Sequence, residues 1–475
     1  MPDILPPPPG FADLAAIVLA AGKSTRMRSR LPKVLHPVCG RPILAHILHA
    51  LAEAGITRRI AVIGHEAETV RQNMDDYFGA GTLEYALQTE QKGTGHAVQM
   101  AQAALHGFTG TVLVLAGDTP LLSAEVLKLL LAEHSRTGAT ATVLTAVLPD
   151  AGAYGRIIRG DGGEVLGIVE NKDATPEQKA IREINTGVFA FDAPALFAAL
   201  SDLSPANAQG EYYLTDVLAI LRGAGKTVRA VVTEDTDVIL GVNTRVELAE
   251  IAAKMRSRIL RDLMLSGVTV EDPATTYVDA GVTVGQDSVL EPMTKLCGDT
   301  QIGANCVIRL GTVIADSTVG DGCKVGPFAH IRPGSTLAAN VKIGNFVEVN
   351  RSELGEKVSA AHLTYLGDAT VGANTNIGAG TITCNYDGFN KSRTVIGEDA
   401  FIGSHSTLIA PLTIESGALT AAGSVITQNV PANAIAVGRS DQKNLPGAEA
   451  RRRKRLAIPS RRAENAVQSG SEPKP

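Results

Sequence analysis

From about Val268 to Val430 an aliphatic residue returns at every sixth position, and this spacing constrains the fold more than any other feature of the chain. Val278, Val284, Leu290, Leu296, Ile302, Ile308 and Ile314 keep the interval unbroken. One five-residue step resets the frame to Val319, Val325, Ile331, Leu337, Ile343 and Val349. Further resets lead through Leu354 and Leu366 to Val371 and Ile377, and after an interruption the frame resumes at Ile396, Ile402, Leu408, Ile414 and Ile426. Glycine follows many of these residues, as at Val284, Ile302, Val325, Ile343, Ile377 and Ile402. A helix repeats near 3.6 residues and a simple strand at two, so neither produces a strict six. A parallel β-helix does: each coil has three short flat faces, one hexad per face, with the aliphatic inward and Gly near the turn. The five-residue steps then read as shortened corners.

With 475 residues the chain has room for two or three domains. A formal net charge of −5 gives no reason to expect nucleic acid as a partner. The absence of Trp suits a narrow interior filled by small aliphatics. Cys39, Cys297, Cys306, Cys323 and Cys384 are odd in number and form no CxxC pair, which predicts free thiols in a reducing, cytoplasmic setting and no zinc site. No apolar run reaches the length of a membrane span. MPDILPPPPG lacks the basic start and apolar stretch of a signal peptide, so residues 1–13 read as a flexible extension.

The run AAIVLA (15–20) predicts a buried parallel strand that delivers the chain into AGKSTRM, a loop able to aim backbone N–H groups at phosphate. The dinucleotide-binding fingerprint fails, since no GxGxxG is present, and so does Walker A, because position 17 is Ile17 rather than Gly. Pro32 and Lys33 lie in a following loop, and Ile43 opens a helical pattern through Leu51. RIAVIG (59–64), TVLVLAGD (111–118) and ATVLTAVL (141–148) are three more strands. Strands alternating with helices predict a doubly wound, Rossmann-like α/β domain over 14–242, with ligands at the strand C-termini, where Gly22 and Asp118 fall. Leu248, Ile251, Met255, Ile259 and Leu263 then recur at helical spacing until Gly267, which predicts a linker helix over 243–267. The β-helix occupies 268–440. Residues 441–475 lose periodicity, carry RRRKR (451–455), and read as a basic, disordered arm.

LAAGKSTRM, LPKVLH, QKGTGHA, GDTPLL, YGRI, IVENKDA, EINTGVF and GVNTR stand in the order found in sugar-1-phosphate nucleotidyltransferases. With PFAHIRPG, GNFVE, HLTYLGDA and NIGAGTITCNYDG they make residues 14–440 resemble the bifunctional N-acetylglucosamine-1-phosphate uridyltransferase/glucosamine-1-phosphate acetyltransferase family. The resemblance implies a left-handed β-helix, a homotrimer, and two reactions. Glucosamine-1-phosphate is acetylated by acetyl-CoA; N-acetylglucosamine-1-phosphate then receives UMP from UTP with release of pyrophosphate. The product, UDP-N-acetylglucosamine, supplies peptidoglycan and lipopolysaccharide synthesis.

Uridylyl transfer joins two anions, so the protein must neutralise charge and align the reactants, with a divalent metal bridging oxygens. Mg²⁺ takes one or two carboxylates plus phosphates and waters, a need that a lone Asp at a strand end meets. That Asp is Asp118, and the resemblance adds Asn243 as second metal ligand. It further implies that Leu19, Ala20, Ala21 and Gly22 line the nucleotide loop and that Arg26 and Lys33 clamp phosphates. Gln88, Gly93 and Thr94 would read uracil, while Gly155, Glu170 and Asn185 would hold the N-acetyl sugar. Where Ser24 sits the family usually has Gly, and Ser is a cost if that position needs a positive φ.

Acetyl transfer needs a base near neutrality to take a proton from the attacking amine, and His is the default. His362 matches the family's base, and Glu348, about one coil earlier, is expected to orient it by hydrogen bonding. Arg332, Asn350, Tyr365, Asn376 and Lys391 correspond to the residues that hold the sugar phosphate. Ala379, Asn385, Tyr386, Ser404, Ala422 and Arg439 correspond to those lining the acetyl-CoA groove, and CNYDGFNKSRT (384–394) to a loop that leaves the coil towards a neighbouring subunit's site. His330 and His405 acquire no role. Asn350 departs from the family, which has Lys there. Strand alternation would turn the adjacent Arg351 to the other face, so Arg332 and Lys391 are expected to carry phosphate recognition, and Asn350→Lys to lower KM a few-fold to tenfold. Two rival readings make the β-helix a trimeric zinc carbonic anhydrase, whose spacing the histidines do not supply, or a non-catalytic oligomerising unit beside a nucleotidyltransferase. His362 and TITCNYDG argue against the latter.

Overall fold

The computed structural model describes residues 13–23 and 25–456. The expected N-terminal extension up to residue 12, the departure at Ser24 and residues 457–475 lie outside the described residues. The N-terminal domain is built on seven principal strands: β1 (Leu14–Leu19), β2 (Arg58–Ile63), β3 (Glu84–Leu87), β4 (Thr111–Ala116), β5 (Ala141–Val147), β6 (Glu183–Asp192) and β7 (Val228–Val232). Their spatial order is β7-β5-β6-β4-β1-β2-β3. The wholly apolar LAAIVL run of β1 follows from cover on both faces. Ala16 and Val18 pack with Leu44, Ile47 and Leu51 of helix Ile43–Glu53, whereas Ala15 and Ile17 pack with Val98, Leu105 and Leu196 on the other side. Side chains two apart share a face, so one strand seeds both cores.

The sheet of this α/β domain is mixed rather than fully parallel. β6 runs antiparallel to both β4 and β5, because the chain makes a hairpin excursion, Arg156–Arg159 with Val165–Val169, and re-enters from the opposite end. The remaining pairings β1–β2, β1–β4, β2–β3 and β5–β7 are parallel.

The second domain is a parallel β-helix whose three faces are sheets of 10, 9 and 8 strands. Tyr277 pairs with Lys295, eighteen residues on, and Gln301 with Thr318, seventeen on, so each five-residue step does shorten one corner. All the hexad aliphatics named above are buried in one continuous core apart from Val284, which packs against it half-buried in the first coil. Each such side chain contributes roughly 1.5–3 kcal/mol by leaving water. Ala360, Thr383 and Thr420 fill the places where the aliphatic series lapses, all 1 % exposed or less. The Thr383 hydroxyl repays its burial by accepting from the Gly367 N–H at 2.8 Å. At the interruption Ala369 pairs with Thr394, twenty-five residues on, so residues 385–393 leave the coil without disturbing the ladder.

Helix Arg245–Leu265 joins the domains. Its start is a capping box: Thr244 accepts from the Glu247 N–H, and the Glu247 carboxylate accepts from the Thr244 N–H. Ile251 belongs to a small cluster with Met27, Val38 and Val242, while Leu260 joins the β-helix core, so one helix is packed into both domains. Arg256 lies over the Tyr277 ring at 4.2 Å. The disordered reading of 441–475 is corrected in part: Ala448–Leu456 form a helix in which Glu449 pairs with Arg452 and Arg453 one turn on. A tract without apolar spacing can still be helical through such pairs.

Candidate functional site

Parallel strands bring their C-terminal ends to one edge of the first sheet, and the predicted nucleotide residues collect there. After Leu19 the chain passes through Ala20, whose N–H donates to Val62 O at 2.8 Å. Ala21 O accepts from Gln91 Nε2 at 2.6 Å, which fixes the loop before Gly22. Gln88, just beyond β3, is buried; its Nε2 donates to Gly93 O at 3.2 Å and lies 3.1 Å from His96 Nδ1. Gly93 has φ +112°, and a Cβ there would meet Tyr212 O at 2.6 Å, so only Gly fits. Thr94 Oγ1 accepts from the Leu214 N–H at 3.0 Å. Gln88, Gly93 and Thr94 are therefore one assembled unit.

Asp118 follows β4, and its carboxylate accepts from Lys33 Nζ at 2.5 Å. Asn243 Oδ1 accepts from the same ammonium at 3.2 Å and from Arg26 Nη2 at 3.0 Å. Four residues separated by as many as 217 positions thus meet in one hydrogen-bonded cluster. Asn243 is set by the linker helix, since its N–H donates to the Glu247 carboxylate at 2.8 Å. Arg26, Asp118 and Asn243 line a cavity of about 700 Å³ with Tyr154, Thr186 and Gly241. Among the described residues no three His, Cys, Asp or Glu side chains converge as a metal cage. One carboxylate and one amide oxygen fit an ion that keeps phosphate and water as its other ligands. Gly155, Glu170 and Asn185 also adjoin: the Asn185 N–H donates to Gly155 O at 2.9 Å, and a Cβ on Gly155 would lie 3.4 Å from the Glu170 carboxylate. Burial pushes the Glu170 carboxyl above its ordinary range, against the opposing effect of a hydrogen bond from Thr215.

The second cluster lies on the β-helix. His362 lines a groove of about 250 Å³ with Lys342 and Asn345, and its Nδ1 is 2.7 Å from Asn345 Oδ1. The expected partner, Glu348, does not bond it. Glu348 sits beyond the corner on the next face, paired in register with His330 and Tyr365, and its carboxylate accepts from Arg332 at 2.8 Å.

Arg351 also differs from expectation. Its φ is +48°, so it is a corner residue and strand alternation does not govern it. Its guanidinium binds Asp368 through two nitrogens at 2.7 and 2.8 Å and reaches Asn350 Oδ1 at 3.3 Å. Asn350 is buried, with Nδ2 3.5 Å from the Tyr365 hydroxyl. Asp368 also accepts from Asn385 Nδ2 at 2.5 Å. The Arg351 hydrogen bonds, chiefly, with Asn385 and Lys391 adding to them, hold the Asp368 carboxyl below its ordinary range. The pairing of Arg351 with Asp368 escaped the sequence reading because neither a corner conformation nor a neighbour seventeen residues away has a local signature. Asn345 did have one: Ile343 and Ala360 are equivalent inner positions, so Asn345 and His362 occupy the same place in successive coils.

The remaining residues divide. Ala379, Ser404 and Ala422 climb one corner of successive coils: Ala379 O accepts from the His405 N–H at 2.7 Å and Ser404 O from the Gly423 N–H at 2.8 Å. Arg439 closes the series by donating to Ala422 O at 2.7 Å. Tyr386 and Lys391 pair across the protruding loop. Asn376 is on the first face and Tyr365 on the second.

Comparison with known proteins gives matches in both domains. Residues 16–154 match the MobA-like NTP transferase domain, 316–351 the bacterial transferase hexapeptide (six repeats), and 393–428 the hexapeptide repeat of succinyl-transferase. The chain is 48 % identical to the bifunctional protein GlmU of Pelobacter propionicus, covering 93 % of this chain and 99 % of that one. It is 51 % identical to that of Heliobacterium modesticaldum over 90 % and 96 %. For Streptococcus thermophilus the figures are 50 %, 91 % and 96 %.

Proposed function

From the premise that this chain belongs to the family of bifunctional GlmU proteins, we propose how its two clusters divide the family's two reactions. The protein is a bifunctional enzyme of UDP-N-acetylglucosamine synthesis, with uridyltransferase and acetyltransferase activities, acting on sugar phosphate, UTP and acetyl-CoA. The observation that supports the division is the presence of two chemically distinct clusters on separate domains: cations around a carboxylate at Asp118, and an imidazole in a groove at His362.

In the first, Arg26 and Lys33 draw the triphosphate in and offset its charge, while Gln88, Gly93 and Thr94 take the base and Gly155, Glu170 and Asn185 the sugar. The family uses a divalent metal; Mg²⁺ would be held here by Asp118 and Asn243. When bound, it offsets charge on the phosphate oxygens. Lys33 and Arg26 bond those same two side chains, which sets both cations beside the place where the phosphates would lie. In the second, the amine of glucosamine-1-phosphate attacks the thioester carbon of acetyl-CoA, the N–C bond forms, and the C–S bond breaks. The proton leaves the nitrogen for His362 and ends on the departing sulfur. Arg332, Tyr365 and Lys391 hold the sugar phosphate together with Arg351, whose charge lies beside Asn350. Ala379, Ser404, Ala422 and Arg439 lead the coenzyme along their corner.

Separation of Asn376 from Tyr365 on two faces supports a homotrimer in which neighbouring subunits complete each site. Among the described residues no helix is long and apolar enough to cross a membrane, and five unpaired cysteines suit a cytoplasmic enzyme. The test is incubation with glucosamine-1-phosphate, acetyl-CoA, UTP and Mg²⁺, with light scattering at assay concentration. UDP-N-acetylglucosamine and free CoA from a trimer are expected. CoA release without nucleotide product, or full activity in a monomer, would overturn the reading.

A further inference from the structure

We infer that Asn345 is the positioning residue of the acetyl-transfer site, holding His362 with its proton on Nδ1 so that Nε2 is the basic nitrogen. This rests on the reading of His362 as base.

Four features of the fold bring the two side chains together. Strands Lys342–Asn345 and Ser359–His362 pair in parallel with Asn345 opposite His362. Their close approach depends on Gly344, where a Cβ would run into the Ala361 carbonyl. Each strand then ends in the same corner: Phe346 and Leu363, the residues following Asn345 and His362, have φ of +56° and +49°. Finally the Leu363 N–H donates to Asn345 O at 3.0 Å, which locks one corner on the other. The side chains that precede the two corners are therefore superposed, and their 2.7 Å hydrogen bond follows from the register.

An amide oxygen only accepts, so the ring nitrogen facing Asn345 Oδ1 must carry the hydrogen. The other nitrogen keeps its lone pair for the substrate amine. Catalytic histidines are usually held through Nδ1 by a carboxylate, which also stabilises the imidazolium. Asn345 fixes the tautomer without that charge. The charged groups sharing the groove with His362 are Arg309, Lys324 and Lys342, all cationic and on the coils below it. Glu348, the nearest carboxylate in the sequence motif, is bound to Arg332. The site thus orients its base through a neutral partner, with no carboxylate among the described residues of the groove to pair with it.

The test compares Asn345→Ala, Asn345→Asp and His362→Ala in the full-length protein, measuring acetyl transfer as a function of pH, with uridylyl transfer as the measure of folding. Asn345→Ala is expected to lower kcat about 10- to 100-fold, with KM for glucosamine-1-phosphate and acetyl-CoA within about threefold. Asn345→Asp restores an acceptor with a charge, so it should recover most of kcat and move the acidic limb of the profile up by about one pH unit. A wild-type kcat in Asn345→Ala, or equal losses in both Asn345 variants without movement of that limb, would overturn the inference. If those results accompany a dead His362→Ala, only the role of Asn345 falls. If His362→Ala itself transfers acetyl groups normally, the reading of the base falls with it.

Discussion

The two clusters are assembled by opposite means. Around Asp118, side chains from residues 26, 33, 118 and 243 are delivered by loops after different strands and by the cap of a helix. Around His362, the partners come from the same position of successive coils: Asn345 and His362 are seventeen residues apart, as are Arg351 and Asp368. A loop-built site tolerates changes between its contributors provided the strand ends stay in place. A coil-built site is only as good as its register, because a slip of one residue turns side chains to the other face.

The contrast can be broken most sharply by removing one centre at a time. Asp118→Ala should lower uridylyl transfer by about a thousandfold or more, and chelation of divalent ions should do the same, while CoA release continues unchanged. His362→Ala should do the reverse, by about 100-fold or more. Loss of both activities from either folded variant would mean that the clusters are not independent.

Next in size are insertions. One Gly added after Gly355, between Asn345 and His362, should cost acetyl transfer about 100-fold and spare uridylyl transfer. One Gly added in the exposed 79–82 turn ahead of β3 should alter either activity less than about twofold, since loop length costs little. Equal sensitivity at both places, measured by steady-state kinetics, would erase the distinction.

A smaller effect should come from Thr244→Ala. The lost cap costs about 1 kcal/mol, visible as a lower Tm. Because Glu247 also holds the Asn243 N–H, uridylyl transfer should fall several-fold with acetyl transfer unaffected. The smallest concerns the second cluster. Arg351→Ala should raise KM for glucosamine-1-phosphate several-fold, whereas Asn350→Lys, which sets a second cation against Arg351, should leave it within about twofold. A tenfold gain from Asn350→Lys would return Arg351 to a purely structural role with Asp368.

The β-helix was legible because its inner position admits little besides aliphatics, so packing writes its period into the chain. Where the interior takes Ala360, Thr383 or Thr420 the period lapses, and with Ala360 went the equivalence of Asn345 and His362. Arg351 was misplaced by applying strand alternation to a residue whose positive φ takes it out of the strand. In the first domain β1, β2, β4 and β5 were readable as apolar runs. β6 passed unnoticed as a strand, and its direction depends on where a hairpin returns, which no local run of residues records. Asp118 could be placed from its strand end alone. Its contact with Lys33 depends on tertiary approach across 85 positions.

The excursion at residues 385–393 has a consequence for how such enzymes diversify. The chain departs at one corner and rejoins at the next strand with Ala369, Thr370 and Val371 opposite Thr394, Val395 and Ile396 in unbroken order. Extra length is absorbed outside the ladder, at an entropic cost that grows only as the logarithm of the loop. Selection can therefore lengthen, shorten or recompose the segment bearing Tyr386 and Lys391 while the coil beneath is inherited intact. Acceptor preference and scaffold stability become separately heritable traits, and grafting loops among hexapeptide-repeat enzymes should succeed at this corner before it succeeds anywhere along a face.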